Sequence, residues 1–348
     1  MFNNPMRAKK IIIGVALLFC AISAFAQEKK VSPDTLMKQG TTLHNQGKYA
    51  EAIEKYAEVL KADPENGFAN YETAFSLCAL KKQQDAMPFV EKAIKSDNDN
   101  LKVAALCLLA SIYDADHQTV KAVDTYEKGI KINPNYPQIY FNLSLTYLRN
   151  NQYDLAEKNS IEAIKHNPKH VGSLSVYALA TYRQNKKVNA LMAFCSVIAL
   201  NSTSSAGASA FSNIQNIFNG GTINQDGKTT IAISPDDTQE TSTLNIGLSM
   251  ITIAAKTKNL QGADLLTDEL TTLFKLAGEL AEKKTEKTFF DNFFVDYYYK
   301  LAQTEYMPAF ARLMAINTDR EGTAKWGKEN MTQLTGMANW LANTPRSF

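Results

Sequence analysis

The sequence predicts an all-α protein, an α-solenoid of five helix–turn–helix units followed by a C-terminal helical bundle. Three observations carry this. Alanine recurs at Ala52, Ala86, Ala122, Ala156 and Ala190, spaced 34, 36, 34 and 34 residues apart, and a period of that length marks stacked helix pairs. Gly47, Asn151 and Asn185 stand at one place in three of the units, where a left-handed residue ends the first helix of a pair. Beyond residue 204 the period stops, yet apolar residues still recur at intervals of three and four, the spacing of packed helices.

Residues 1–26 read as a secretory signal peptide. Arg7, Lys9 and Lys10 make a basic start, Ile11 to Ile22 an apolar stretch, and Ala24-Phe25-Ala26 a small-residue cleavage site. Cys20 raises lipidation, but Phe19 stands before it where a small residue is needed. Cleavage before Gln27 would leave residues 27–32 as a linker and place the protein in the periplasm, outside the cell or in the cell envelope. Losing three of the 37 basic residues leaves 34 against 35 acids, a net charge of about −1, and this offers no electrostatic footprint for nucleic acid. No later stretch reaches the 18 apolar residues of a membrane helix. Cys78, Cys107 and Cys195 show no CxxC spacing and read as buried thiols acting as small hydrophobes.

The five units start at Pro33, Gly67, Val103, Pro137 and Val171. Small residues recur at Gly40, Ala74, Ala110, Ser144 and Ala178; with the alanine column they let two helices approach, where larger side chains would cost roughly 1–3 kcal/mol. Lys81 and His117 replace Gly or Asn at the turn of the second and third units. Pro64, Pro134 and Pro168 close three units, with Asn98 and Ser202 at that place in the others. Tyr56, Val90, Tyr126 and Phe194 form a large-residue column, interrupted by Ser160.

These columns resemble tetratricopeptide repeats over residues 33–204. The first unit, with Gly40, Gly47, Tyr49, Ala52, Tyr56 and Pro64, is close to the family pattern. The fourth is similar through Tyr147, Tyr153, Ala156, Ala163 and Pro168, while the second and fifth are degenerate. Leu101 and Lys102 are an insertion between the second and third. The resemblance implies a right-handed superhelix with the first helix of each unit lining a concave groove. Carried over residue by residue, the groove takes Phe68, Tyr71 and Phe75, then Phe141 and Leu145, then Leu179 and Tyr182. Family members that grip a C-terminal carboxylate use Lys, Asn and Arg in the groove; the matching positions here hold Met37, Thr41 and Glu72, so that clamp is absent.

Residues 205–348 read as a capping helix and a C-terminal helical bundle. Phe211, Ile214 and Phe218 give one face to cover the end of the solenoid. Ile223 and Ile231 to Ile233 flank Asp226-Gly227 as a short hairpin. Leu244, Leu248, Ile251 and Ala255 predict one helix, and Leu260 to Leu280 a second. Phe289, Phe290, Phe293, Phe294, Tyr297, Tyr298 and Tyr299 crowd a third, and aromatics at helical spacing read as core. Leu334, Ala338 and Leu341 line the last.

Chemistry is not announced anywhere in the chain. GxSxG, GxxxxGK[ST], HExxH and CxxC are missing from the sequence. His166 and His170 are four apart with Pro168 between them, against one helix presenting both to a metal. Asp236, Asp237 and Glu240 precede a helix, where acids complement its dipole. No cofactor, metal or catalytic residue is assigned. The expected function is an exported, non-catalytic protein–protein interaction scaffold or adaptor, gripping an envelope protein or peptide segment through an apolar groove. An apolar groove needs a cover, and the chain's own C-terminal bundle would satisfy that need as well as a partner would. The alternative is a small-molecule or glycan-binding module with a pocket between solenoid and bundle.

Overall fold

The computed structural model describes residues 31–348 apart from 221, 226, 227, 232, 233 and 236; the expected signal peptide lies outside the described residues. Ten helices run in pairs through the repeat region: α1 (Pro33–Asn45), α2 (Tyr49–Ala62), α3 (Gly67–Ala79), α4 (Gln83–Ala93), α5 (Asp99–Ala115), α6 (Thr119–Ile132), α7 (Pro137–Arg149), α8 (Tyr153–His166), α9 (Val171–Arg183) and α10 (Lys187–Asn201). All five alanines of the 34-residue column are completely buried. Ser160, the polar exception among the large residues, is buried too, its hydroxyl turned onto the Glu157 carbonyl at 2.8 Å.

The turns inside the pairs share one cause. Gly47, Lys81, His117, Asn151 and Asn185 all take φ between 57° and 78°. Lys81 and His117 therefore keep the left-handed turn without the residue types that tolerate it, at a cost of roughly 1–2 kcal/mol for a residue with a Cβ. Lys81→Gly is expected to raise stability by about 0.5–1 kcal/mol, since glycine's extra unfolded-state freedom offsets part of the relief. An unchanged or lower melting temperature would count against that account. Where proline is missing at the end of the second unit, Asn98 takes another role: its side chain accepts from Leu101 N–H at 3.0 Å and caps α5.

The chain divides into two compact units, one ending at Leu109 and one running from Ala110 to Phe348. In the first, α1 packs on α2, α2 on α3 and α3 on α4. Leu36, Val59 and Ala69 form a buried cluster in it, and Gly40 is bare because a Cβ there would run into the Tyr56 ring.

The second unit holds the larger core. After α11 (Ser205–Asn219) come β1 (Thr222–Gln225) and β2 (Lys228–Ile231), an antiparallel hairpin pairing Thr222 with Ile231 and Gln225 with Lys228. Then follow α12 (Gln239–Lys256), α13 (Gly262–Glu282), a π-helix (Asp291–Val295) running into α14 (Asp296–Ala302), α15 (Met307–Met314), α16 (Arg320–Glu329) and α17 (Met331–Asn343). α10 is buried on every side, through Leu191, Met192, Phe194, Cys195, Val197 and Ile198 among others, as befits a helix without a polar face. It packs against α11, α12, α15 and the π-helix. The aromatic run expected as core is core: Phe290, Phe293, Phe294, Tyr297 and Tyr298 are all buried. Its first five residues from Asp291 wind as a π-helix rather than as a regular α-helix.

Candidate partner-binding surface

Three of the seven residues assigned to the groove meet on α3. Phe68, Tyr71 and Phe75 lie three and four residues apart, on one helical stripe. Phe68 is 55% and Phe75 42% exposed, large values for phenylalanine, while Tyr71 is half-buried. Phe75 is held between two other rings: Tyr71 stacks at 6.0 Å and 10°, and His44 at 4.7 Å and 17°. Tyr49 closes the row edge-on to His44 at 5.0 Å. The His44 Nδ1 lies 2.8 Å from the Ser76 hydroxyl, which fixes the imidazole plane against Phe75. Burial lowers the His44 pKa below 6.5, so at neutral pH the ring adds no charge to the row. Nearby, Tyr56 OH donates to the Glu72 carboxylate at 3.4 Å. Burial pushes Glu72 up, and pushes the Tyr56 phenol to about 12.

The other four fall in the second unit, in three settings. Phe141 is half-buried and meets His170 edge-on at 4.7 Å, over the bare Cα of Gly172. Leu145 lines a cavity of about 520 Å³ whose walls mix apolar surface with polar groups, among them Ser111, Asn142, Asn150 and the Asp114–Arg149 ion pair. Leu179 and Tyr182 are half-buried against the core of this unit. The C-terminal helices reach α9 through a different residue, Tyr177, which stacks on Phe294 at 5.1 Å and meets Phe289 at 5.9 Å.

Other residues weighed in the sequence find structural posts. His166 ends α8 and stacks on Tyr140 at 5.6 Å; His170 is the N-cap of α9, its ring accepting from Ser173 N–H. The Asp237 carboxylate accepts from Asn185 Nδ2 at 2.9 Å and Asn245 Nδ2 at 3.3 Å, tying the last repeat turn to α12 in place of a bare helix-dipole role. Glu240 pairs with Lys284 at 2.7 Å; Asp236 lies outside the described residues. Cys107 and Cys195 are buried and Cys78 half-buried. Burial raises all three thiols, Cys78 to about 11 and Cys107 to about 12. Among the described residues no group of three His, Cys, Asp or Glu is placed to hold a metal ion. None of the described helices is long and apolar enough to cross a membrane.

Two arrangements escaped the sequence reading. Asp291, 2% exposed, accepts from Lys284 Nζ at 2.6 Å and from both Thr288 N–H and its hydroxyl. Arg346 lies across the faces of four rings.

Family models described as tetratricopeptide repeat match residues 33–66, 103–136 and 125–158. A DnaJ homolog subfamily C member 7 homolog of Schizosaccharomyces pombe is 27% identical over 157 residues, covering 37% of this chain. The chain spans about a third of that relative, 32% of its length. Among solved structures, a thermophilic TPR protein of Thermus thermophilus is 16% identical and superposes with a TM-score of 0.47 over 53% of this chain and all of its own. MamA is 22% identical, with a TM-score of 0.39 over 48% of this chain and 90% of its own. YrrB, described as a TPR protein with an unusual peptide-binding site, is 16% identical with a TM-score of 0.39 over 55% and 97%. Repeats of this kind generally serve as protein–protein interaction scaffolds, and the segment 33–158 of this chain carries tetratricopeptide repeats.

Proposed function

We propose that this protein is an exported, non-catalytic adaptor that holds a segment of another envelope protein against α3. The observation that carries the reading is the α3 stripe, where Phe68 and Phe75 stand exposed while neighbouring rings fix Phe75 in place. An aromatic side chain already immobilised loses little entropy on binding, so apolar contact with a partner converts more fully into affinity. Exposed aromatics of this kind are typical binding anchors. The partner segment would present apolar side chains at alternate positions if extended, or at intervals of three and four if helical. Export rests on the pattern of residues 1–26, and N-terminal sequencing of the mature chain should then begin at Gln27.

The test is a photo-crosslinking residue at position 75 in intact cells, followed by mass spectrometry. Crosslinks to a second envelope protein are expected, and Phe75→Glu should weaken binding of that protein by about tenfold or more while leaving the melting curve in place. Crosslinks only to the chain's own residues, or equal binding by both forms, would remove α3 from the adaptor role.

A further inference from the structure

Arg346 lies in the stretch Thr344–Phe348, which follows α17 without regular secondary structure. Its guanidinium sits 4.0 Å from the ring centroid of Tyr297, 4.9 Å from Phe293, 5.3 Å from Tyr298 and 5.5 Å from Phe294. The planar fork also donates to the Ser196 hydroxyl at 2.9 Å, the Phe293 carbonyl at 3.2 Å and Tyr298 OH at 3.4 Å. Ser196 and Tyr298 are themselves buried and lie 2.8 Å apart, oxygen to oxygen. Among the described residues no carboxylate forms an ion pair with Arg346. The charge is met by ring faces and neutral oxygens, an environment that suits a weakly hydrated, planar guanidinium better than a compact ammonium.

The stretch that delivers this side chain is held by side chains and hardly by its backbone. Its last backbone hydrogen bond among the described residues is Thr344 N–H to the Trp340 carbonyl, 2.9 Å. Beyond that, Phe348 touches Phe293 at 5.3 Å while remaining 55% exposed. Beside Arg346 a cavity of about 400 Å³ opens between residues of the fourth and fifth repeats, such as Pro168 and Leu174, and the C-terminal Tyr297, Leu341 and Pro345. A pocket was expected where repeats and bundle meet, as a small-molecule or glycan site; the groups gathered here suit a cation.

We propose that Phe293, Phe294, Tyr297, Tyr298 and Ser196 form a guanidinium-binding site, which the chain fills with its own Arg346 and which an arginine side chain of another polypeptide enters when residues 344–348 lift away. The cavity gives the incoming chain room, and the side-chain anchoring of the stretch makes it exchangeable. The site is separate from the α3 surface and does not depend on the adaptor reading.

The experiment uses the full chain with Arg346→Ala and two peptides, acetyl-Thr-Pro-Arg-Ser-Phe-amide and its lysine counterpart. R346A is expected to melt about 4–8 °C below the parent protein. The arginine peptide at about ten times its Kd should restore about 3–5 °C, with the lysine peptide restoring less and the parent protein, its site already filled, shifting by no more than about 1 °C. Trp340, whose ring lies 4.8 Å from Tyr297, gives an independent fluorescence titration. Should R346A lose its cooperative melt, Arg346→Gln, which keeps the apolar stem, carries the same comparison. Equal response to both peptides, or no response beyond that of the parent protein, would overturn the proposal.

Discussion

Phe294→Ala is expected to destabilise the protein by about 3–5 kcal/mol, the range for removing a fully buried phenylalanine. Phe294 is completely buried and touches rings on every side: Tyr177 stacked at 5.1 Å, Phe293 at 4.8 Å, Phe289 at 6.0 Å and Phe290 at 6.2 Å. Close ring pairs contribute beyond their buried area. The partners cannot collapse into the space freely, because Tyr177 is fixed on α9 while Phe293 also faces Arg346. Equilibrium denaturation measures the loss as a shift in midpoint. A change below about 1 kcal/mol would mean that the aromatic cluster repacks like a liquid, against the dense packing of protein interiors.

Lys284→Ala is expected to cost about 2–3 kcal/mol. Removing one member of a buried pair strands the other without its counter-charge, which is worth about 3–5 kcal/mol when nothing else compensates. Here Thr288 still donates two hydrogen bonds to Asp291, and Lys284 is partly solvated, so the lower figure applies. Combining Lys284→Met with Asp291→Asn removes both charges and should recover at least half of the loss; a double variant as unstable as Lys284→Ala would refute the stranded-charge account. Burial alone would favour deprotonated Lys284, but hydrogen bonds to Asp291 and Glu240 outweigh it and raise the pKa above 10.5. That contribution is fully present below pH 10.5 and is lost as the pH rises through the higher folded-state value.

What the sequence made legible follows from which features repeat. Ala52 and its four successors could be read because one steric demand, two helix axes in close approach, recurs five times, and all five are completely buried. Residue type marks the turn at Gly47, Asn151 and Asn185; at Lys81 and His117 only the repeat register places it, and the same backbone conformation is kept against residue preference. The α3 stripe was readable from spacing and resemblance, and its exposure from neither. Leu145 and Leu179 occupy the repeat position of Phe75, and Phe141 that of Tyr71, yet they meet different neighbours, because those neighbours come from distant elements. The π-helix could not be inferred, since seven aromatics between 289 and 299 place rings on every face and erase the period that separates windings. Arg346 is a single basic residue in a polar stretch, and only the fold brings it to four rings. The enclosure of α10 went unread, because the fifth unit reads only as a degenerate repeat, although Leu191–Leu200 is a run whose only polar residue is Ser196.

That enclosure limits how the array can grow. Tandem duplication lengthens a solenoid when a new unit finds on its neighbour the same face that the old one used. A unit inserted after α10 would meet a helix whose outer face is already occupied by α11, α12, α15 and the π-helix. Extra copies between the earlier units would face no such obstacle. On packing grounds an added unit is therefore accommodated before α9, whereas the α9–α10 pair is committed to the helices that follow it.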